Sequence, residues 1–338
     1  MIKKLARLTF NNLKPLIDII FSQLVAISNP MVGWIRKIGL DQLPRTKRQI
    51  IRAGIDLIWY TGDDPDEGDI SLLKPVAILF QGGLGAQIIS ASIYIFLRNQ
   101  GYKIYADFSY FNNDKYLASF GDGRVSQWVY RLDGYDLPLI AFDNIKTCTD
   151  GKPTLIPDGV LKAKLFRKAI SDPEVKKFFP LSKCYEILND VNFFQLNLLE
   201  PHSYVCMHVR RGDYQNSAVH CIVPESSFSA MAEKFVKAYS TVIITSDSKL
   251  SLNFKSEIEK KFSKVIIFDD MSMDELLTHS IMRLAAILIC SNSQFSMTAG
   301  ALSDGLAFIP TRFFEGTHQQ ELAKIIHEDY SKFSLLDL

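Results

Sequence analysis

The sequence predicts an α/β fold built on parallel sheets, divided into two domains behind a helical N-terminal extension. Three observations carry this. From residue 203 onward, short apolar runs alternate with stretches of helical periodicity: SYVCMHV, TVIITSD, KVIIFDD, AILICSN and AFIPTRF. This is the pattern of strands joined by crossover helices. A unit of the same kind stands earlier, with VAILF, the glycine-rich QGGLGAQ, the helical IISASIYIFLRNQ and the strand-like YKIYAD. Finally, a chain of 338 residues exceeds one ordinary core and fits two.

Taken in order, residues 1–75 form the extension. It begins MIKKLARLTFNNLKPLIDIIFSQLVAIS, with Lys3, Lys4 and Arg7 ahead of an apolar stretch that Asp18, Ser22 and Gln23 interrupt. The apolar run falls short of the roughly 20 residues that span a bilayer. Pro15 suits the first turn of an amphipathic helix. Two uses for that helix stay open: packing on the protein's own core, or a peripheral membrane contact through residues 1–30 beside the basic side chains. The acidic, turn-rich TGDDPDEGDIS closes the extension.

The first α/β domain is placed at 76–200 and the second at 201–338. Between 108 and 200 the pattern is irregular and aromatic; LDGYDLP reads as a turn and LKAKLFRKAISDPEVKKFF as helical. In the second domain helices are expected near 225–239, 249–262, 273–285, 294–304 and 317–329.

Composition excludes some partners. Lys and Arg total 38 against 37 Asp and Glu, a net charge of +1, so no global field draws the chain to nucleic acid and any anion binding is local. The five cysteines, at 148, 184, 206, 221 and 290, are odd in number and lack C-x-x-C spacing. That argues against a disulfide framework or a zinc site and for a reducing cytoplasm.

In parallel sheets ligands sit beyond the carboxyl ends of strands, so the loops that follow strands are where chemistry is expected. In QGGLGAQ, Gly82, Gly83 and Gly85 let the backbone turn tightly ahead of a helix N-terminus that faces an anion or a sugar oxygen. With Gln87 the loop reads equally as a ligand loop or as a plain turn. It is neither a P-loop nor a G-x-G-x-x-G fingerprint.

The second loop, HVRRGDY, delivers His208, Arg210, Arg211 and Asp213. Adjacent arginines repel, so something must compensate, and the planar guanidinium fork suits a diphosphate. Neighbours in extended chain point to opposite sides: one arginine faces a ligand while the other pairs with Asp213 or another carboxylate. Surface ion pairs are the plainer alternative, and nothing indicates secretion that would favour an integrin-type RGD. The third loop offers Ser246 and Asp247, the acid reading as a ribose or base contact or as a helix cap. The fourth, CSNSQFS, groups Ser291, Asn292, Ser293 and Ser296 around Phe295; capping accounts for one or two of these, a polar pocket floor for more.

GGLGAQ, HVRRGDY, SD and SNSQFS, in this order from about Val76 to Phe314, resemble the motif set of the α-1,2-fucosyltransferases, glycosyltransferase family 11. VHCIVPESSF, with His220 and Phe228, resembles the stretch that follows the arginine motif there. The resemblance implies a GT-B-like fold, two Rossmann-type domains facing a cleft, and metal-independent, inverting transfer of fucose from GDP-β-L-fucose to galactose O2. It needs no cofactor beyond that donor substrate.

Residue by residue, the resemblance implies that Arg210 grips the diphosphate, with Arg211, Asp213 and His208 shaping the site. Asp247 would contact the nucleoside, and Ser291, Asn292, Ser293, Phe295 and Ser296 would line the phosphate and guanine pocket. Asp213 and His220 are the candidate bases. No D-x-D pair stands at a strand end, and DPDEGD at 64–69 lies in a linker. The acceptor would be a surface glycan, O-antigen or lipid-linked oligosaccharide, met in the cytoplasm at the inner membrane face. The chain departs from the family at Ala86, where an asparagine is usual, and at Met297 and Thr298, where two tryptophans are usual.

Overall fold

The computed structural model describes residues 72, 75–108, 110–111, 117–119, 125–127, 129–141, 154–156, 160–216, 221–270, 273–310 and 333–336. All of them belong to one compact unit, Asp64–Leu338. The expected N-terminal helix, the expected helix near 317–329 and His220 lie outside the described residues.

The first half carries β1 (Val76–Leu79), α1 (Leu84–Asn99), β2 (Ile104–Asp107), the hairpin strands β3 (Leu117–Ser119) and β4 (Val125–Gln127), and β5 (Thr154–Ile156). β1 sits in the middle of a parallel sheet ordered β2-β1-β5. Strand and helix alternate here because β1 is apolar throughout and α1 is long enough to return the chain to the start of a parallel neighbour. Four helices follow: α2 (Val160–Ser171), α3 (Pro173–Lys176), α4 (Leu181–Asp190) and α5 (Phe193–Asn197). The single helical stretch expected over 161–179 is therefore two. Pro173 cannot continue α2 and instead opens α3, with the Asp172 carboxylate accepting from the Glu174 N–H at 2.9 Å.

The second half runs β6 (Val205–Val209), α6 (Glu225–Glu233), β7 (Thr241–Ser246), α7 (Leu252–Lys261), β8 (Lys264–Phe268), α8 (Glu275–Arg283), β9 (Ile287–Ile289), α9 (Gln294–Leu302), β10 (Leu306–Pro310) and β11 (Phe333–Leu336). Its six strands form a parallel sheet ordered β11-β10-β9-β6-β7-β8. α6 is shorter than expected, because beyond Glu233 the bonds tighten to i,i+3 turns, as in Phe235 N–H to Ala232 O at 2.9 Å. The α/β class, with helix-covered parallel sheets in both halves, is as the alternation predicts.

The inner strands β6, β7 and β9 are buried at every position, which is why they read as unbroken apolar runs. Val205, Met207, Val209, Val242 and Ile244 pack into one cluster with Phe228 of α6 and Phe254 of α7. The alternate residues Cys206 and Ile243 belong to the other cluster, which also takes in β1, α1, α8 and α9. That shared core brings the loop after β1 against the loops after β6 and β9. No described helix is long and apolar enough to cross a membrane.

Candidate functional site

The register of three neighbouring strands builds the site. Val209 of β6 lies opposite Ser246 of β7, so the residues that follow, Arg210 and Asp247, emerge side by side. Arg210 Nη1 meets Asp247 Oδ2 at 2.6 Å with both side chains largely shielded. The other carboxylate oxygen, Oδ1, accepts from the backbone N–H groups of Arg211 at 2.7 Å and Gly212 at 3.1 Å. One side chain thus fixes the arginine and the loop that carries it. Asp247 caps no helix: Ser251 does that for α7, accepting from Phe254 N–H at 3.2 Å.

The second arginine has a different task. Arg211 is buried, and its Nη1 donates to the Arg210 carbonyl at 2.9 Å. Burial lowers its pKa while the charges of Glu225 and Asp247 oppose that shift. The carboxylate pairing expected for Arg211 falls on Arg210 instead, because the parallel register sets Asp247 beside residue 210. Arg210 also lies over the Tyr214 ring, with Cζ 5.2 Å from its centroid, a cation–π contact within its own loop. The backbone of Asp213 sits in the single 3-10 turn Gly212–Asn216; its side chain lies outside the described residues.

On the other side of β6, Met207 pairs with Ile289 of β9, which carries Ser291 up to His208. Ser291 Oγ lies 2.9 Å from His208 Nδ1. Burial, reinforced by the charge of Arg210, pushes the His208 pKa down to about 3. The ring is therefore neutral at ordinary pH. Ser293 is the N-cap of α9, accepting from Phe295 N–H at 3.3 Å. Ser296 Oγ bonds the Ser291 and Ser293 carbonyls at 3.2 and 3.4 Å. The Asn292 amide donates to the Cys221 carbonyl, and the Asn292 carbonyl accepts from Tyr214 Oη at 3.3 Å. The cluster is a buried frame under the arginine loop, its hydroxyls spent on backbone and on His208.

The glycine loop approaches from the first sheet. Gly82 has a φ of +67°, which favours glycine. Gln87 is fully buried and braces the loop: its amide nitrogen donates to the carbonyls of Gly82 and Val129, each at 2.9 Å, and its oxygen accepts from Arg131 N–H at 2.8 Å. Its amide therefore positions backbone. Gly83 is the N-cap of α1 with no side-chain bond of its own. At Gly85 a Cβ would fall 2.5 Å from Phe295 N, so the starts of α1 and α9 touch backbone to backbone.

Two residues of the site were not foreseen. His279 of α8 is fully buried, its ring 5.4 Å from that of Phe295, which stands equally far from His208 on its other contact. The hydroxyl of Thr298 lies 3.2 Å from His279 Nε2. Glu275 opens α8 beside its cap Asp274, and burial raises its carboxyl despite Arg131 and Arg210 nearby. The sequence signal was a surplus acid: DE before an apolar run needs only one residue as a cap. Among the described residues no group of three or more His, Cys, Asp or Glu is placed to hold a metal ion.

Neither a protein-family model nor a curated protein matches the chain. Among solved structures, a family 9 glycosyl transferase from Veillonella parvula aligns at TM-score 0.35 and 11% identity, covering 70% of this chain and 81% of that one. POFUT1, solved in complex with GDP-fucose, aligns at TM-score 0.36 and 10% identity, covering 70% of this chain and 96% of that one. Likeness at this level assigns no residue and no substrate.

Proposed function

We propose that the chain is an inverting glycosyltransferase that moves L-fucose from GDP-β-L-fucose to a hydroxyl of a surface glycan, O-antigen or lipid-linked oligosaccharide, galactose O2 in the reading that the motif resemblance favours. One observation carries the proposal: a guanidinium at a strand end, Arg210, held on one edge by Asp247 at 2.6 Å and on its face by Tyr214. A cation fixed before the reaction stabilises charge that develops on a leaving diphosphate without having to reorganise. Departure of GDP places that charge on the β-phosphate as the sugar becomes oxocarbenium-like.

In this reading Arg211 and the frame of His208, Ser291 and Ser296 act through Arg210, holding its loop. Asp247 holds Arg210 and the loop backbone, and its remaining lone pairs are open to the nucleoside contact that the resemblance implies. The glycine loop, with Gly82, Gly83, Gly85 and Gln87, meets the acceptor or the donor sugar. A lipid-linked acceptor would be met at the inner membrane face, with residues 1–30 supplying the peripheral contact.

Ala86 favours a second reading, a protein that binds the nucleotide sugar without turning it over. Another GDP-linked deoxy sugar is the alternative donor. A GDP-release screen of several GDP-sugars against galactose-terminated acceptors separates these: release with GDP-fucose alone supports the proposal, release with a different donor replaces the sugar, and calorimetric binding with no release in any arm removes the enzyme.

A further inference from the structure

Glu275 stands where the glycine loop, the arginine loop and α8 come together. Capping does not explain it, because Asp274 already accepts from the N–H groups of Leu276 at 2.8 Å and Leu277 at 3.3 Å. The Glu275 carboxylate lies near the Leu84 N–H of the glycine loop and in the field of Arg131 and Arg210. Its Oε2 is buried with no hydrogen-bond partner. A carboxylate oxygen shielded from water and without a donor is unfavourable for folding, and such groups concentrate where chemistry uses them.

We propose that Glu275 is the proton acceptor of the transfer, receiving the proton of the incoming hydroxyl on Oε2. The inference rests on the glycosyl-transfer reading above. In the step, the hydroxyl oxygen bonds to C1 of the donor sugar and the bond from C1 to the β-phosphate oxygen breaks. The electron pair stays on the phosphate beside Arg210, and the hydroxyl proton passes to Glu275.

Placement supports the assignment. The attacking oxygen stands about 3 Å from C1, and C1 is one bond from a phosphate held by Arg210, so the base must lie close to Arg210 on the acceptor side. Glu275 joins Arg210 to the glycine loop in that way. Among the described side chains the other carboxylate beside Arg210 is Asp247, whose Oδ1 takes two backbone N–H groups and whose Oδ2 faces Arg210 at 2.6 Å. Burial also moves Glu275 upward from the usual carboxyl range, towards the pH at which a base works well.

Water serves as an acceptor when no sugar is identified, so the test reads GDP release from GDP-β-L-fucose into water and into galactose-terminated acceptors, from about pH 4 to about pH 9. Glu275→Gln keeps the shape and an oxygen for Leu84 N–H. The expected result is release slowed by about 100-fold or more with the acidic limb of the rate profile gone, while GDP affinity by calorimetry stays within about twofold. Thermal stability near neutral pH should be unchanged or higher. A carboxyl raised on folding loses stability as pH climbs above its ordinary 4.5, and the amide escapes that loss; a merely structural glutamate would give the opposite sign.

A variant within about threefold of wild type with the limb intact overturns the assignment of Glu275 and leaves the transferase standing. A wild type that binds GDP-fucose and releases no GDP in any arm overturns both.

Discussion

Gly85→Ala should destabilise the protein, although a change from glycine to alanine inside a helix ordinarily stabilises. Gly85 is the second residue of α1, and the added methyl would sit 2.5 Å from Phe295 N and 2.6 Å from both Gln294 C and Phe295 Cα. Ordinary contact begins near 3.4 Å, so two backbones must part by about 1 Å. Neither can relieve the clash by changing a rotamer. Overpacking of this kind costs about 1–3 kcal/mol, while the helical preference of alanine returns about 0.5–1 kcal/mol. The net expectation is a loss of about 1–2 kcal/mol, read as a lower urea midpoint with unchanged slope. Because the displaced atoms belong to the start of α9, next to Phe295 and His208, GDP affinity should fall with stability. Equal or greater stability in the variant would refute the close approach of α1 and α9 on which the site rests.

Arg210→Ala should cost about 2.7–4 kcal/mol in transition-state stabilisation, seen as a loss of about 100- to 1,000-fold in GDP release, with the fold retained but its stability lowered because Asp247 loses its partner; Arg210→Lys should recover little, since a point charge does not reproduce the fork. Asp247→Asn keeps the oxygen that takes the two backbone N–H groups and sets an amide N–H against Arg210, so chemical denaturation should show a loss of about 1.5–3 kcal/mol. His208 and His279 are both held neutral by burial. Unfolding lets each take up a proton below its ordinary 6.5, so their contribution is full above that pH and falls as pH drops below it, for His208 by about 1.4 kcal/mol per unit until about 3. Denaturation at pH steps between 7 and 4.5 should show the slope reduced by about one proton in His208→Asn.

The placement of Asp247 explains why the two-arginine motif tolerates its own repulsion. Its oxygens meet Arg210 and two backbone N–H groups, while Arg211 is turned in to support the carbonyl of its neighbour. A methyl on Gly212 would fall 2.3 Å from Asp247 Oδ2, so the glycine of the motif makes room for that carboxylate. The loop is a clamp whose parts come from two strands.

The sequence by itself determined seven of the eleven described strands, most of the helices and the identity of the loops that meet at one end of the sheet; β3, β4, β5 and β11, each of only three or four residues, carried no such signal. Those features repeat locally: a parallel strand buried on both faces is apolar at every position, a helix shows its period within four residues, and Pro173 or Gly82 acts on the backbone where it stands. Tertiary structure alone decided which carboxylate would hold Arg210, that Gln87 would be spent on the segment around Tyr130, that the serines of CSNSQFS would form a frame under His208, and that Glu275 would reach the glycine loop. Each of these joins residues tens of positions apart through strand order and register, and no window of sequence contains both partners. Arg210 meets Asp247 because β6 and β7 pair with Val209 opposite Ser246; a slip of one residue would have sent the arginine to the other face of the sheet.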